Sequence, residues 1–208
     1  HLDDHSIRVT GKFEKDVYTL VAITELTGIT GVRLETLPDD ALANKGPGLA
    51  DNGNFVVSQF QLSSGPQGDP AVNTPVPFAR AAADFNQQAY NITAAIDGQD
   101  GSGWAVAPQF GKSHYAFFET KENLGQEGGT RLTFTIRQQH GGKHNLGRFR
   151  LSVTRSQRPL RIAALPEDLA QAIAVPLDER TDEQRQVVFQ HFTKGDRALA
   201  ELEEGVKL

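Results

Sequence analysis

The sequence predicts an all-β protein, a β-sandwich or jelly roll followed by a short C-terminal helical tail. Short segments rich in β-branched and aromatic residues recur over residues 1–155, and Gly, Pro, Asn and Ser separate them. No helical pattern interrupts this series, which is typical of a sandwich. Helix signals follow. We therefore expect a sandwich over 1–160 and a helical tail or connector over 161–208.

The strands are predicted from side-chain alternation and from the turn residues between them. Segments 16–24 and 31–37 are neighbouring strands joined through Thr27-Gly28. Long loops are expected at 38–54 and 63–77, where Gly, Pro and Asn are frequent. The remaining strands are expected at 55–62, 90–96, 104–107, 114–119, 131–138 and 147–154.

The tail carries two clear helix signals. A short helix over 165–173 has a proline in its first turn and ends before Pro176. Thr181 and Gln184 form a capping box that starts a second helix, expected to reach about Thr193. A last helix containing Leu199 and Leu202 should follow. These helices are too short to form a core alone, so we expect them to dock on another surface.

Composition excludes several classes of protein. There is no cysteine, which rules out disulfides, thiolate metal sites, a thiol nucleophile and covalent haem attachment. No apolar run approaches the length of a membrane span, and no secretory leader opens the chain, so we expect a protein with no membrane span. The net charge of −5 is unevenly distributed: residues 1–160 carry about −1 and residues 161–208 about −4.

One stretch is strongly basic. Between Glu127 and Glu167 there is no acidic residue, but there are eight lysines and arginines. If strands 131–138 and 147–154 form a hairpin, Arg137 lies opposite Arg148, and Arg150 lies opposite Thr135, on the outer face. Opposed like charges destabilise a strand pair, so an anion should offset them. We favour acidic groups of a neighbouring strand or the tail over a sulfated or carboxylated ligand. Nucleic acid is not expected in an acidic protein without interleaved aromatics.

The loop residues of this hairpin are the other candidate ligand contacts. His140 and His144 have a spacing that suits zinc on a helix, but the intervening glycines favour a solvent-facing loop. His140, Lys143 and His144 are therefore candidate contacts of a bound ligand. Phe110 is the best loop-borne aromatic platform, with Tyr90 and Tyr115 as alternatives. We expect Trp104 in the core rather than as a sugar platform.

Catalysis is hard to assemble from these residues. Neither a Gly-x-Ser-x-Gly elbow nor a phosphate-binding glycine loop is present. Glu35, Asp97 and Glu119 could supply a carboxylate pair for glycoside hydrolysis, but exposed or structural carboxylates are the favoured interpretation. We therefore expect that the protein is not an enzyme.

Calcium is a more plausible ligand than zinc. The segment 97–102 concentrates hard oxygen donors, with Asp97, Asp100 and Ser102 as candidate ligands of a structural calcium. An Asx turn, in which Asp97 bonds its own backbone, is an equally weighted alternative.

Many motifs resemble one family. They extend across nearly the whole chain and include Gly31–Asp39, Gly46-Pro-Gly48, Asn52–Val56, Ala83-Asp-Phe85, Ala95–Gly98, Gly103–Val106, His114, Phe118-Glu119, Leu146–Thr154, Leu165-Pro166 and Arg180-Thr181 with Gln184. They resemble the central β-rich region of multidomain planctomycete-type proteins that also carry cytochrome-c-like domains. The resemblance implies a discoidin-type, galactose-binding-like jelly roll, in which a structural calcium often lies beside the Asp-Gly segment.

The chain departs from that family at two positions and lacks its haem motif. It has Leu49 where the family has arginine, and Gln59 where the family has glutamate. If that pair held a cation in relatives, this chain has lost it. The Cys-x-x-Cys-His haem motif of the larger proteins is absent, so electron transfer is not implied here.

Together these observations lead to one expected function and one alternative. We expect a non-catalytic carbohydrate-binding module of an exported multidomain protein, for an anionic (sulfated or uronic) polysaccharide. Its partners would be that polysaccharide and neighbouring domains of a larger chain, in an extracellular, periplasmic or cell-surface location. The alternative is a structural spacer that orders neighbouring domains and binds no sugar.

Overall fold

The structure, a computed structural model, describes residues 1–11, 13–161 and 167–193. The chain divides into two compact units, His1–Ile162 and Ala163–Leu208. The first unit is a sandwich of two antiparallel sheets, which confirms the predicted all-β fold. Its described strands are β1 (Ile7–Arg8), β2 (Asp16–Thr24), β3 (Ile29–Thr36), β4 (Gln59–Pro66), β5 (Thr74–Pro75), β6 (Phe78–Ala83), β7 (His114–Leu124), β8 (Thr130–Gln138) and β9 (Arg148–Thr154).

The two sheets enclose one hydrophobic core. The five-stranded sheet has the order β1-β9-β3-β7-β6, and the four-stranded sheet has the order β2-β8-β4-β5. Alternation directs Leu132, Phe134 and Ile136 of β8 inward, where all three are buried. Phe60 of β4 stacks on Phe118 of β7 with ring centroids 4.0 Å apart. The sheets are therefore joined by aromatic packing at the centre of the sandwich.

The predicted hairpin of β8 and β9 is wrong. Strand β8 has β2 and β4 as its neighbours, whereas β9 lies in the other sheet between β1 and β3. Both edges of β8 are occupied, so no edge remains for β9, and the loop 139–147 crosses between the sheets. Arg137 consequently lies opposite Val17 and Gln59 rather than Arg148. The predicted opposition of Arg137 and Arg148 does not exist.

The predicted pairing of segments 16–24 and 31–37 is wrong as well, because β2 and β3 lie in different sheets. Two predicted strands are also wrong. Residues Ile92–Ile96 form a 3₁₀ turn, because the Asn91 side chain accepts a hydrogen bond from the Thr93 amide and caps a helical start. The segment 104–107 contributes only an isolated bridge between Trp104 and Val57. Strand β6 escaped prediction because it is rich in alanine, a residue with low β-propensity.

The long loops meet at one end of the sandwich, which we call the loop end. The last residue of β8, Gln138, lies beside Asp16 at the start of β2. The last residue of β3, Thr36, lies beside His114 at the start of β7. Among the described residues, the loop end therefore comprises the segments 9–11, 13–15, 37–58, 84–113 and 139–147. Functional residues commonly lie on such loops.

The segment after β9 is docked on β7. The Glu119 carboxylate accepts a hydrogen bond from the Leu160 amide at 2.5 Å. Arg158 donates to the Thr120 carbonyl at 2.9 Å and to the Asn123 side chain at 2.6 Å. Leu160 itself is buried. Residues 158–160 are thus part of the sandwich unit.

The second unit contains helices α1 (Glu167–Ala174) and α2 (Asp182–Thr193) among its described residues, and these two helices contact each other. The predicted capping box is confirmed: the Gln184 amide donates to Thr181 Oγ1, and the Thr181 amide donates to the Gln184 side chain. The predicted helix with Leu199 and Leu202 lies outside the described residues. Within the described part of the chain, no helix is both long and apolar enough to cross a membrane.

Candidate functional site

A cluster of rings lies at the loop end. His140 contacts Tyr90 edge to face, with centroids 5.8 Å apart, and His144 in the same way at 4.8 Å. Positive φ angles at Gly141 and Gly142 allow the tight turn that brings the two histidines together. His140 is exposed, and the other two rings are half-buried. Two predicted ligand contacts, His140 and His144, and the alternative contact Tyr90 therefore form one surface.

Burial and neighbouring charges disfavour the protonated form of His140. Partial burial lowers the pKa of His140 below its ordinary value, and the neighbouring His144 and Lys15 lower it further. His140 therefore gains its charge at a lower pH than an ordinary histidine does. A bound anion would favour that charged form.

Lys143 supplies a cation beside these rings. Its ammonium lies 3.5 Å from the Asp51 carboxylate, whose side chain is 92% exposed. An exposed pair at this distance is weak, so Lys143 can exchange Asp51 for another anion. Lys143 has a positive φ of 60°, so the turn holds it in place at the price of some backbone strain.

Phe110 lies on a different part of the loop end. The amide of its neighbour Gly111 donates to the Gly46 carbonyl at 3.1 Å, which holds the 108–111 turn against the segment 43–53. Asp51, in that same segment, reaches Lys143. Phe110 is half-buried. The segment 43–53 therefore lies between the Phe110 turn and the histidine loop.

The Arg137 guanidinium is already paired. It donates to both oxygens of Asp100, at 2.9 and 2.5 Å. This hydrogen bonding holds the pKa of Asp100 below its ordinary value. The two guanidinium N–H groups of Arg137 that could bind a carboxylate or sulfate therefore already bind Asp100.

Arg148 and Arg150 are paired as well. Arg150 donates to both carboxylate oxygens of Glu35 on the adjacent strand, at 2.8 and 3.2 Å. Arg148 donates to Asp4 at 2.8 Å, and to Ser6 and the Pro38 carbonyl. Hydrogen bonds from Ser6 lower the pKa of Asp4 to about 2. These arginines are thus paired with acids of the same unit, Glu35 on the neighbouring strand β3 and Asp4 ahead of β1.

The predicted calcium loop is closed by a glutamine. The Gln59 side-chain nitrogen donates to Asp97 Oδ1 at 2.8 Å, to the Gln99 carbonyl at 2.8 Å and to the Ala94 carbonyl at 3.0 Å. The Gln99 amide also donates to Asp97 Oδ1, which is the Asx turn expected as the alternative. Asp100 is directed to Arg137 instead.

These residues do not fit a resident calcium ion. A calcium ion needs oxygen ligands on all sides. The three oxygens that would bind it, from Asp97, Gln99 and Ala94, already accept hydrogen bonds from the Gln59 amide. Of the candidate ligands, Ser102 Oγ bonds Asp97 Oδ2 at 3.1 Å, while Asp100 lies with Arg137. Across the residues that the structure describes, no three His, Asp or Glu side chains gather in a way that suits a metal ion.

Trp104 belongs to the core, as predicted. Its side chain is fully buried, its indole nitrogen donates to the Phe85 carbonyl at 2.9 Å, and its ring meets Phe55 edge to face at 5.1 Å. It offers no platform for a sugar. The carboxylates considered for glycoside hydrolysis are similarly engaged: Glu35 by Arg150, Asp97 by Gln59 and Glu119 by the Leu160 amide.

The sequence did not predict the contact between the buried side chain of His114 and Asp84. His114 Nδ1 lies 2.9 Å from Asp84 Oδ2, and its Nε2 lies 2.9 Å from the Gln109 carbonyl. Burial alone would lower the pKa of His114, but Asp84 and the Gln109 carbonyl raise it above its ordinary value. Both ring nitrogens have partners, so this histidine is not free to activate a nucleophile. Nothing in the local sequence links Asp84 to His114.

A neutral groove beside strand β4 was also missed. Its volume is about 450 Å³, and its lining combines polar side chains and prolines with apolar ones that include Phe60 and Phe78. The polar lining includes Gln61, Ser63, Asn73 and Thr135. The groove has a size typical of small-molecule sites but offers no charged side chain.

Compared with protein-family models, with curated proteins and with solved structures, the chain matches none of them. The described strands and helices define the chain as an all-β sandwich with a helical C-terminal unit.

Proposed function

We propose that the chain is a non-catalytic carbohydrate-binding module of discoidin-like, galactose-binding-like type, which binds an anionic polysaccharide at its loop end. The observation that carries this proposal is the surface cluster of exposed His140 with half-buried Tyr90 and His144, next to Lys143 in the same loop. Aromatic and imidazole rings pack on sugar faces, and a weakly paired ammonium can bind sulfate or uronate. Phe110 extends this surface across the segment 43–53.

The internal ion pairs of the arginines support a smaller set of ligand contacts. Arg137, Arg148 and Arg150 are paired internally, so the binding charge falls to Lys143 and to His140 when it is protonated. Because a lower pH charges His140, affinity for an anionic glycan should rise as the pH falls. The module would belong to an exported multidomain protein, as the family resemblance implies.

The test is affinity electrophoresis and calorimetry of the full chain against sulfated, uronic and neutral polysaccharides. We expect retention by one anionic polymer, weaker in high salt and stronger at pH 5.5 than at pH 7.5. Lys143→Gln, which removes the charge and keeps a polar side chain, should weaken binding about fivefold, the size of one weak ion pair. His140→Ala should remove the pH dependence.

The matched control is Lys121→Gln, which removes an exposed charge from β7 outside the loop end. It should leave binding unchanged. Equal losses in both lysine variants would mean a diffuse charge effect and would overturn the loop-end assignment. A loss in Gln61→Ala alone would move the binding site to the neutral groove.

The second candidate function is a structural spacer. It is favoured by the internal pairing of the arginines and by the docking of residues 158–160 on β7 through Glu119 and Arg158. A spacer needs a rigid body with a fixed exit for the chain, and these contacts provide both. If no polysaccharide in a broad panel is retained at any pH, the spacer is the better conclusion.

A further inference from the structure

The side chain of Gln59 is built into a ring of oxygens. It is 3% exposed, and three oxygens face its nitrogen: one from the Asp97 carboxylate and one each from the Ala94 and Gln99 carbonyls. Its own oxygen accepts a hydrogen bond from the Gly98 amide at 2.9 Å. One side chain therefore organises the whole turn that follows the 3₁₀ segment.

Three acceptors around one nitrogen exceed the two hydrogens of an amide. A carboxylate and two carbonyls converging on a point are the environment that a hard cation prefers. The oxygens lie 2.8–3.0 Å from the nitrogen, the separation of N–H···O hydrogen bonds, whereas calcium would need them at about 2.3–2.6 Å. A calcium ion at the position of the nitrogen would require each oxygen to move inward by roughly half an ångström.

Ser102 fixes the carboxylate in this orientation. Its hydroxyl donates to Asp97 Oδ2, and the Gln99 amide bonds Oδ1. The Gln59 amide donates to the same carboxylate at Oδ1. The Asp97 carboxylate therefore has neutral hydrogen-bond donors as its partners. The positive end of the amide dipole takes the place that a cation would have.

We propose that the Gln59 amide substitutes for a cation in the 94–102 loop. The loop folds without metal, and its oxygens become a calcium site only when residue 59 carries a carboxylate. A carboxylate there would face Asp97 and two carbonyls with no donor between them. That arrangement is repulsive until a divalent cation enters.

The first experiment uses the unmodified chain. Its melting temperature, followed by Trp104 fluorescence, should move by less than about 1 °C between chelator and about 10 mM calcium chloride, a concentration above the Kd of extracellular calcium modules. In nuclear magnetic resonance spectra, the Gln59 side-chain amide protons should exchange slowly and keep their shifts when calcium is added. A calcium-dependent rise in melting temperature, or a displaced Gln59 amide signal, would overturn the proposal.

The second experiment uses Gln59→Glu, with Gln61→Glu as the matched control. Residue 61 is exposed on the same strand, so it receives the same charge outside the oxygen ring. Gln59→Glu should melt lower than the unmodified chain in chelator and rise by about 5–10 °C in calcium near 100 times its Kd. Gln61→Glu should not respond.

The outcomes of the variants are also decisive. If Gln59→Glu is folded in chelator and remains indifferent to calcium, the oxygens do not form a latent cation site and the proposal is wrong. The same holds if both glutamate variants respond equally, because calcium would then act on the added surface charge. If Gln59→Glu folds only with calcium present, the proposal is supported.

Discussion

The pairing of buried His114 with Asp84 gives a prediction with a defined pH dependence. Asp84→Asn replaces one carboxylate oxygen by an NH₂ group, so one of the two donors at this position, the His114 ring or the Tyr115 amide, loses its acceptor. A hydrogen bond to a charged group contributes about 1.5–3 kcal/mol. The His114 side chain is only 6% exposed, so solvent compensates little. The melting temperature should fall by about 3–12 °C.

The sign of the pH effect follows from the raised pKa of His114. Its contribution to stability is fully present below the unfolded-state pKa of about 6.5 and is lost as the pH rises through the folded-state pKa. Asp84→Asn removes most of that contribution. The difference in unfolding free energy between the variant and the unmodified chain should therefore be larger at pH 5.5 than at pH 8.5.

The assay is urea unfolding followed by the fluorescence of Trp104, which is fully buried and reports on the sandwich. Asp100→Asn is the matched control, because it makes the same chemical change in an exposed pair with Arg137. That control should alter stability little at either pH. An equal loss for Asp84→Asn at both pH values would refute the assignment of the charged pair.

Two further predictions concern packing and are checked by the same urea assay. Phe60→Ala removes the ring stacked on Phe118 and should lower stability by about 3–5 kcal/mol; a loss below about 1 kcal/mol would contradict the central position of this ring. Gly31→Ala would place a methyl group against Leu160 and 2.8 Å from the Phe118 carbonyl, and should lower stability by about 1–3 kcal/mol. Gly68→Ala, where the added carbon meets nothing within 4 Å, is its control and should be neutral.

Patterns in short stretches of sequence predicted those strands and helices that are determined by residues close together along the chain. Alternation identified β2, β3 and β8, and the capping box identified the start of α2. In each case the residues that determine the structure lie within a few positions of one another. The expected burial of Trp104 came from the family resemblance, which places it in the core, and not from a local pattern.

Strand pairing and charge pairing could not be predicted in the same way. Two adjacent strands in sequence suggest a hairpin, but β8 and β9 have other neighbours because strands remote in sequence occupy their edges. The partners of Arg148 and Arg150, Asp4 and Glu35, are more than 100 positions away along the chain. The ring around Gln59 likewise joins segments about 40 residues apart. Only the folded topology brings these groups together.

The docking of residues 158–160 on β7 has a mechanical consequence. Strand β9 ends at Thr154, but the chain is fastened again by Arg158 and by the Leu160 amide on Glu119. Tension applied from residue 161 onward is therefore borne first by these side-chain bonds rather than by the β9 ladder. The load enters the sandwich at β7, an interior strand held on both sides by β3 and β6. The edge strands are shielded from a pull in this direction.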